Sequence, residues 1–187
     1  MTREDAWQLL CEYTLNDSLR KHALAVEACM RYYARRLGAD EELWGVVGLL
    51  HDFDYERWPS VPEHTREGAR VLRERGVDEE ITGATLSHVP WNLDEYPRDR
   101  PLRRVLFAVD ELSGFIVACA LVRPTRLEGL EPKSVVKKLK QPSFAAAVSR
   151  EDIAAAPELV GLSLDEHIRN CIAALQPAAP ALGLSPQ

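Results

Sequence analysis

At 187 residues the chain is the size of one domain, with enough mass to bury a real core. Its composition, 46% hydrophobic and 28% charged, fits an ordinary soluble globule, and four Phe against many Ala, Leu and Val lean toward packed helices rather than a sandwich. With 23 basic against 29 acidic residues the formal charge is -6, which excludes a general attraction for DNA, RNA or anionic membranes but leaves room for a local basic patch to grip a small phosphate.

The opening MTREDAWQLL carries mixed charge without a long apolar core, so it does not read as a secretory signal. A first short helix fits residues 3–15, with Thr2 as its cap and Asp5 three residues on. Asp17 or Ser18 is placed to cap a second helix over 19–37, where Leu19, Val26, Cys29, Met30, Tyr33 and Leu37 form an apolar stripe at helical spacing. Gly38 ends it, and Asp40 can cap the third. That third helix, ELWGVVGLLHDF, is nearly all apolar between Leu43 and Leu50, which marks a buried helix. Its two glycines lower helix propensity but permit close helix contact. Trp58-Pro59 and Pro62 mark a loop. A fourth helix starts near His64 or Thr65 and ends before Gly76. Asp78 caps a fifth that reaches His88, and VPWNLDEYPRDRP forms the next loop.

A long apolar helix follows over 102–122, closed by Pro124. Asp110 and Glu111 interrupt its apolar run, which argues against a membrane span. Residues 123–132 lead into a short basic helix over 134–140. Ser149 with Asp152, and Ser163 with Glu166, each set an acid three residues after a capping hydroxyl and open two final helices. From Pro177 the chain is Ala, Pro, Gly and Ser, and residues 177–187 read as a frayed tail. There is no internal repeat and no strand-like alternation. The expectation is a single all-α domain over 1–176, a helical bundle with additional C-terminal helices. Cys11, Cys29, Cys119 and Cys171 lack paired spacing and read as buried free thiols in a reducing compartment, so a cytoplasmic location is expected. Oligomeric state stays open.

Four residues carry the chemistry. His22 points inward with its apolar stripe and is either a satisfied core histidine or a ligand. His51-Asp52 ends the most hydrophobic helix, where an aspartate without a cation pays a large desolvation penalty. Neighbours on a continuous helix diverge by roughly 100°, but at a helix end the backbone can turn both toward one ion. Asp110 lies inside VLFAVDELSGFIVACALV, where a carboxylate needs a metal or an ion pair from Arg20, Arg104 or Lys21. Two imidazoles and two carboxylates suit a borderline-to-hard divalent ion.

The ordered pattern of His22, His51-Asp52 and Asp110 on successive helices resembles the HD superfamily of metal-dependent phosphohydrolases, over roughly residues 18–120. The resemblance implies an HD-like all-helical core and one or two divalent ions (Mn, Fe, Zn, Co, Ni or Mg). It also implies hydrolysis of a phosphate ester, with a small phosphorylated molecule such as a nucleotide as substrate. In two-metal members a pair of histidines occupies the interval held here by His64 and His88. These two are second-metal ligands, phosphate contacts or helix-terminal histidines. Asp52 is the implied bridging ligand and catalytic residue. The chain departs from the family where Asp54 stands in place of the Gly of His-Asp-Ile-Gly members. It departs again at Tyr55, where nucleotidase-like relatives have Glu. Asp54 and Glu56 either hold a water or pair with Arg57.

The basic segment offers Lys133, Lys137 and Lys140 on one helical face, as a solvated surface or as a collar for the substrate's nonreacting part. Tyr55, Trp58, Trp91 and Tyr96 in the two loops stack on a base or anchor their loops. Two other functions fit the same residues: a di-iron oxidase, which consumes oxygen, and a nonenzymatic metal or nucleotide sensor, which binds without turnover.

Overall fold

A computed structural model describes residues 1–186. Among them the regular structure is entirely helical, as the spacing of apolar residues requires. α1 (Arg3–Tyr13) is closed by a reciprocal capping box between Thr2 and Asp5. α2 (Asp17–Leu37) starts one residue earlier than the expected caps allow. Asn16 is the N-cap, accepting from the Ser18 and Leu19 amides, so Asp17 is free to sit in the first turn. Gly38 ends the helix in the left-handed conformation, and Asp40 caps α3 (Glu41–Leu50). After a turn come α4 (Glu63–Glu74) and α5 (Glu79–Ser87), the latter capped by Asp78, then a short 3-10 turn at Pro90–Asn92. α6 (Pro101–Leu121) follows. α7 (Pro132–Leu139), α8 (Arg150–Val160), α9 (Leu164–Leu175) and α10 (Ala179–Leu182) complete the chain. Ser149 and Ser163 cap α8 and α9 as expected.

α2 and α6 are the two long elements, and the others pack around them. The buried face of α2 is Val26, Cys29, Met30 and Tyr33, whereas Leu37 projects past the edge of the core. Along α6, Leu106, Val109, Leu112, Phe115 and Ile116 are fully buried. His167 of α9 pins the two together: its ring nitrogens lie 2.6 Å from the Tyr33 hydroxyl and 2.8 Å from the Ala108 carbonyl. Burial pushes its pKa down, so it serves as a neutral structural link.

α3 approaches α2 more closely than side chains would normally allow. A Cβ at Gly48 would stand 2.7 Å from the Glu27 Cα and 2.8 Å from its amide nitrogen. One turn earlier, a Cβ at Gly45 would strike the Arg31 guanidinium, which spans to Glu27 and Glu42. The two glycines in the buried helix are therefore contact residues, and the close approach they permit sets the position of His51.

The tail is a correction. Leu182 and Leu184 are buried in the core, and Gly183, at φ 69°, turns the chain between them. Composition alone concealed this, because two leucines suffice to anchor a short Ala/Pro segment against α2. The last residue of the expected tail, Gln187, lies outside the described residues. Three cysteines are buried and all four are free thiols. No helix among the described residues is long and apolar enough to cross a membrane.

Because the neighbour at Gly48 is backbone, Gly48→Ala should destabilise the fold by about 1–3 kcal/mol, the usual penalty for overpacking. Gly45→Ala, which meets a movable guanidinium, should cost less. Urea denaturation of both variants checks the order, and equal or reversed penalties would contradict the close approach.

Candidate metal centre

Six side chains, three on helices and three just past the ends of two others, meet at one end of the bundle. α2 supplies His22 and α6 supplies Asp110. His51 and Asp52 follow directly on α3, His64 stands at the start of α4, and His88 follows the last residue of α5. His51 and Asp52 lie in the turn that follows Leu50, His51 still at helical backbone angles.

The ring nitrogens face one another rather than ordinary partners. The Nε2 atoms of His22 and His51 are 3.2 Å apart, and both approach Asp110 Oδ1, at 3.0 and 3.4 Å. On the other side of Asp52, the Nε2 atoms of His64 and His88 lie 3.2 and 3.0 Å from Asp52 Oδ1. That oxygen is buried without a hydrogen bond of ordinary geometry. Donor atoms of His22, His51 and Asp52 gather within 4.8 Å of one another, as do those of Asp52, His64 and His88. Asp52 belongs to both groups.

Three of the imidazoles are held in the orientation a metal ligand needs. His51 Nδ1 is 2.8 Å from the Gly48 carbonyl, and His88 Nδ1 is 2.6 Å from the Thr85 carbonyl. His64 Nδ1 is 3.1 Å from Asp54 Oδ1. Each acceptor takes the Nδ1 proton and leaves the Nε2 lone pair for the centre. Arg98 fixes the end of α5 by donating to the Ser87 and His88 carbonyls.

Among the described residues no lysine or arginine forms an ion pair with Asp52 or Asp110. Arg20 donates to the Thr14 and Cys11 carbonyls, Arg104 to those of Arg98 and Asp99, and Lys21 pairs with Asp17. The ion pair that the sequence left open for Asp110 is thus absent among the described residues. In the protein alone the histidines become the counter-charge. Burial opposes protonation of His51, yet Asp52 and Asp110 outweigh it and carry its pKa up to about 9. Burial likewise opposes protonation of His64, and Asp52 and Asp54 raise it to about 9. Burial alone would raise the Asp52 pKa, but His51, His64 and His88 hold it well below the usual carboxylate range. Asp110 is held down in the same way by His51 and His22. Paired carboxylates, convergent Nε2 atoms and an orphaned carboxylate oxygen fit a divalent cation in both chemistry and charge.

The centre opens into a cavity of about 420 Å³. Tyr55, Trp91 and Phe107 give it aromatic walls, and Glu111 and Asp152 add two more carboxylates. Trp58 instead packs against Tyr13, and Tyr96 accepts from Arg73, so these two anchor their loops. Lys133, Lys137 and Lys140 do not reach the cavity. α7 runs elsewhere on the bundle, Lys133 pairs with Glu131, and Lys137 lines a separate depression with Cys119 and Arg123. Helical periodicity can show that the lysines share a face, but not which way that face is turned.

Asp54 and Glu56 are also resolved. Arg57 pairs with neither; it donates to the Glu12 carbonyl and stacks on Tyr13. Glu56 accepts from the Leu15 and Asn16 amides, tying the start of α2 to the turn after α3. Asp54, fully buried, is bound to His64. Glu111, Asp152 and Phe107 were not expected at the site from sequence. Glu111 follows Asp110 directly, which was the available signal, whereas nothing local marks Asp152.

A family model described as HD domain matches residues 19–114, just over half of the chain. No solved structure matches it.

The raised histidines set a pH signature. An unfolded histidine titrates near ~6.5, so a folded value of about 9 adds stability that is complete below ~6.5 and lost as pH rises through 9. The chelated protein should therefore melt at progressively lower temperature from about pH 6.5 to 9. A divalent ion replaces those protons, so its stabilising effect should grow over the same window. Melting curves with and without chelator check both, and a melting temperature flat across that range would disprove the charge coupling.

Proposed function

The chain belongs to the HD-domain family, and on that premise we propose that it hydrolyses phosphate esters at the centre formed by His22, His51, Asp52, His64, His88 and Asp110. The family is largely one of metal-dependent phosphohydrolases. The observation that carries the proposal is the position of Asp52, common to two separate groups of metal-ligating atoms. His22, His51, Asp52 and Asp110 would hold one divalent ion, and Asp52, His64 and His88 a second. A bound ion supplies an ionised water at neutral pH and neutralises charge on the phosphoryl oxygens.

The chain's own residues set the rest. Asp52 is the catalytic residue, because its carboxylate borders both ion positions and accepts hydrogen bonds that orient a nucleophile. Tyr55 and Trp91 flank the opening and suit the flat organic part of an ester, such as a nucleoside. The cavity lining includes no lysine or arginine among the described residues, and Glu111 and Asp152 add negative charge. A triphosphate would meet uncompensated repulsion there. The favoured substrate is a compact monoester with an uncharged or weakly charged organic part, and nucleoside monophosphates are the first class to assay.

With Mn²⁺ supplied, nucleoside monophosphates should release phosphate and triphosphates should react far more slowly. Asp52→Asn should reduce release by more than about 100-fold, a larger effect than losing an outer partner of a ligand, while the variant still melts cooperatively as a folded protein. Phosphate assays across a metal titration, with thermal melts alongside, read both. Full turnover in Asp52→Asn would remove Asp52 from the mechanism. Oxygen consumption by the iron-loaded protein without phosphate release would replace hydrolysis with oxidation.

A further inference from the structure

Asp54 is a buried, fully hydrogen-bonded side chain beside the centre, and the hydrolytic mechanism gives it no task. It is fully buried in the turn after α3. Its Oδ2 accepts from the Thr65 amide at 2.8 Å and the Gly68 amide at 3.0 Å. Its Oδ1 takes the third bond, from His64 Nδ1 at 3.1 Å. The surroundings are shaped to admit it. A Cβ on Gly68 would stand 2.8 Å from the carboxyl carbon of Asp54, so only glycine lets α4 come this close.

The start of α4 is distorted around that carboxylate. His64 leaves helical geometry at ψ 134°, and Thr65 adopts φ 67°, a left-handed conformation that a β-branched residue rarely takes. The bond from the Thr65 amide to Asp54 and the bond from Asn92 Nδ2 to the Thr65 hydroxyl, at 2.8 Å, hold it there. The effect of the distortion is to turn the His64 ring so that Nδ1 meets Asp54 while Nε2 meets Asp52.

We propose that Asp54 is the positioning residue for a second metal site: it fixes both the direction and the tautomer of His64, so that Asp52, His64 and His88 can hold an ion apart from the one at His22, His51 and Asp110. The assignment rests on the two-ion reading of the centre. A neutral imidazole offers one lone pair. With its Nδ1 proton committed to a carboxylate that can only accept, the lone pair must be on Nε2, the atom that faces Asp52.

The same logic makes Asp54→Asn a discriminating change rather than a merely conservative one. The amide keeps the shape but has a single oxygen, which the Thr65 and Gly68 amides hold in place. Its NH₂ group then faces His64 Nδ1 and requires that nitrogen to accept. The proton moves to Nε2, and the ligand atom is blocked without any change in packing.

The test is to load the full chain with Zn²⁺, remove free ion by gel filtration and count bound zinc by elemental analysis. The parent should hold two ions per chain. Asp54→Asn and His64→Gln should each hold one, with circular dichroism unchanged. Nitrogen-15 correlation spectra of the imidazoles give a readout that a structural role would not move: His64 should carry its proton on Nδ1 in the parent and on Nε2 in Asp54→Asn. Two ions retained by Asp54→Asn, with affinity unchanged, would overturn the assignment. Should that variant not fold, the parent spectrum decides alone, because a His64 proton on Nε2 in the zinc-loaded parent overturns it too. A parent chain that binds only one ion overturns the two-ion reading itself, and this assignment with it.

Discussion

Two carboxylates, Asp52 and Asp110, are turned inward at one end of a helical bundle, and among the described residues neither has an ion pair with lysine or arginine. Their need for positive charge organises the structure around them. Four imidazoles converge on the carboxylates, and in the protein alone protons on His51 and His64 partly answer the demand. Protonated imidazoles are poor substitutes for a dication. The Nε2 atoms of His22 and His51 stand 3.2 Å apart, a separation that suits two lone pairs directed at one ion better than two N–H groups directed at each other.

Holding such a cluster together is a matter of stiffness. α2 and α6 carry His22 and Asp110 on long, well-packed helices, cross-linked by His167 through Tyr33 and Ala108. α3 is drawn against α2 at Gly45 and Gly48, which sets where His51 and Asp52 emerge. The other two side chains, His64 and His88, lie at helix ends, where direction is less constrained by periodicity. There the structure adds specific bonds: Asp54 on His64, the Thr85 carbonyl on His88, and Arg98 on the carbonyls at the end of α5. Packed helices place four of the six side chains, and local hydrogen bonding orients the other two.

The cavity outside the centre differs in character from the centre itself. It is aromatic and acidic, lined by Tyr55, Trp91, Phe107, Glu111 and Asp152. The basic face of α7, the one part of this acidic chain where a phosphate grip was expected, lies elsewhere. On the proposed function, phosphate recognition would fall to the metal site rather than to a collar of lysines. An acidic lining of this kind would suit substrates whose charge is confined to the group that reacts.

Much of this was legible in the sequence. The helices, their caps at Thr2, Asp40, Asp78, Ser149 and Ser163, and the buried run of α3 all follow from local rules, because capping and amphipathic periodicity act within a few residues. The convergence of the candidate site was legible too, since His51-Asp52 and Asp110 are chemically out of place in apolar helices. Other features depend on contacts between segments distant in the chain. Whether Asp110 had an ion-pair partner turned on where Arg20, Arg104 and Lys21 found theirs. Asp54 looked like a departure from a family motif until the fold brought His64, Thr65 and Gly68 to it. Leu182 and Leu184 looked like part of a frayed tail until the groove they fill existed. Sequence fixes what a residue can do within one turn of its own helix. The direction in which each helix face points is settled only when the helices pack, and that decided which residues share the cavity and which, like the lysines of α7, do not.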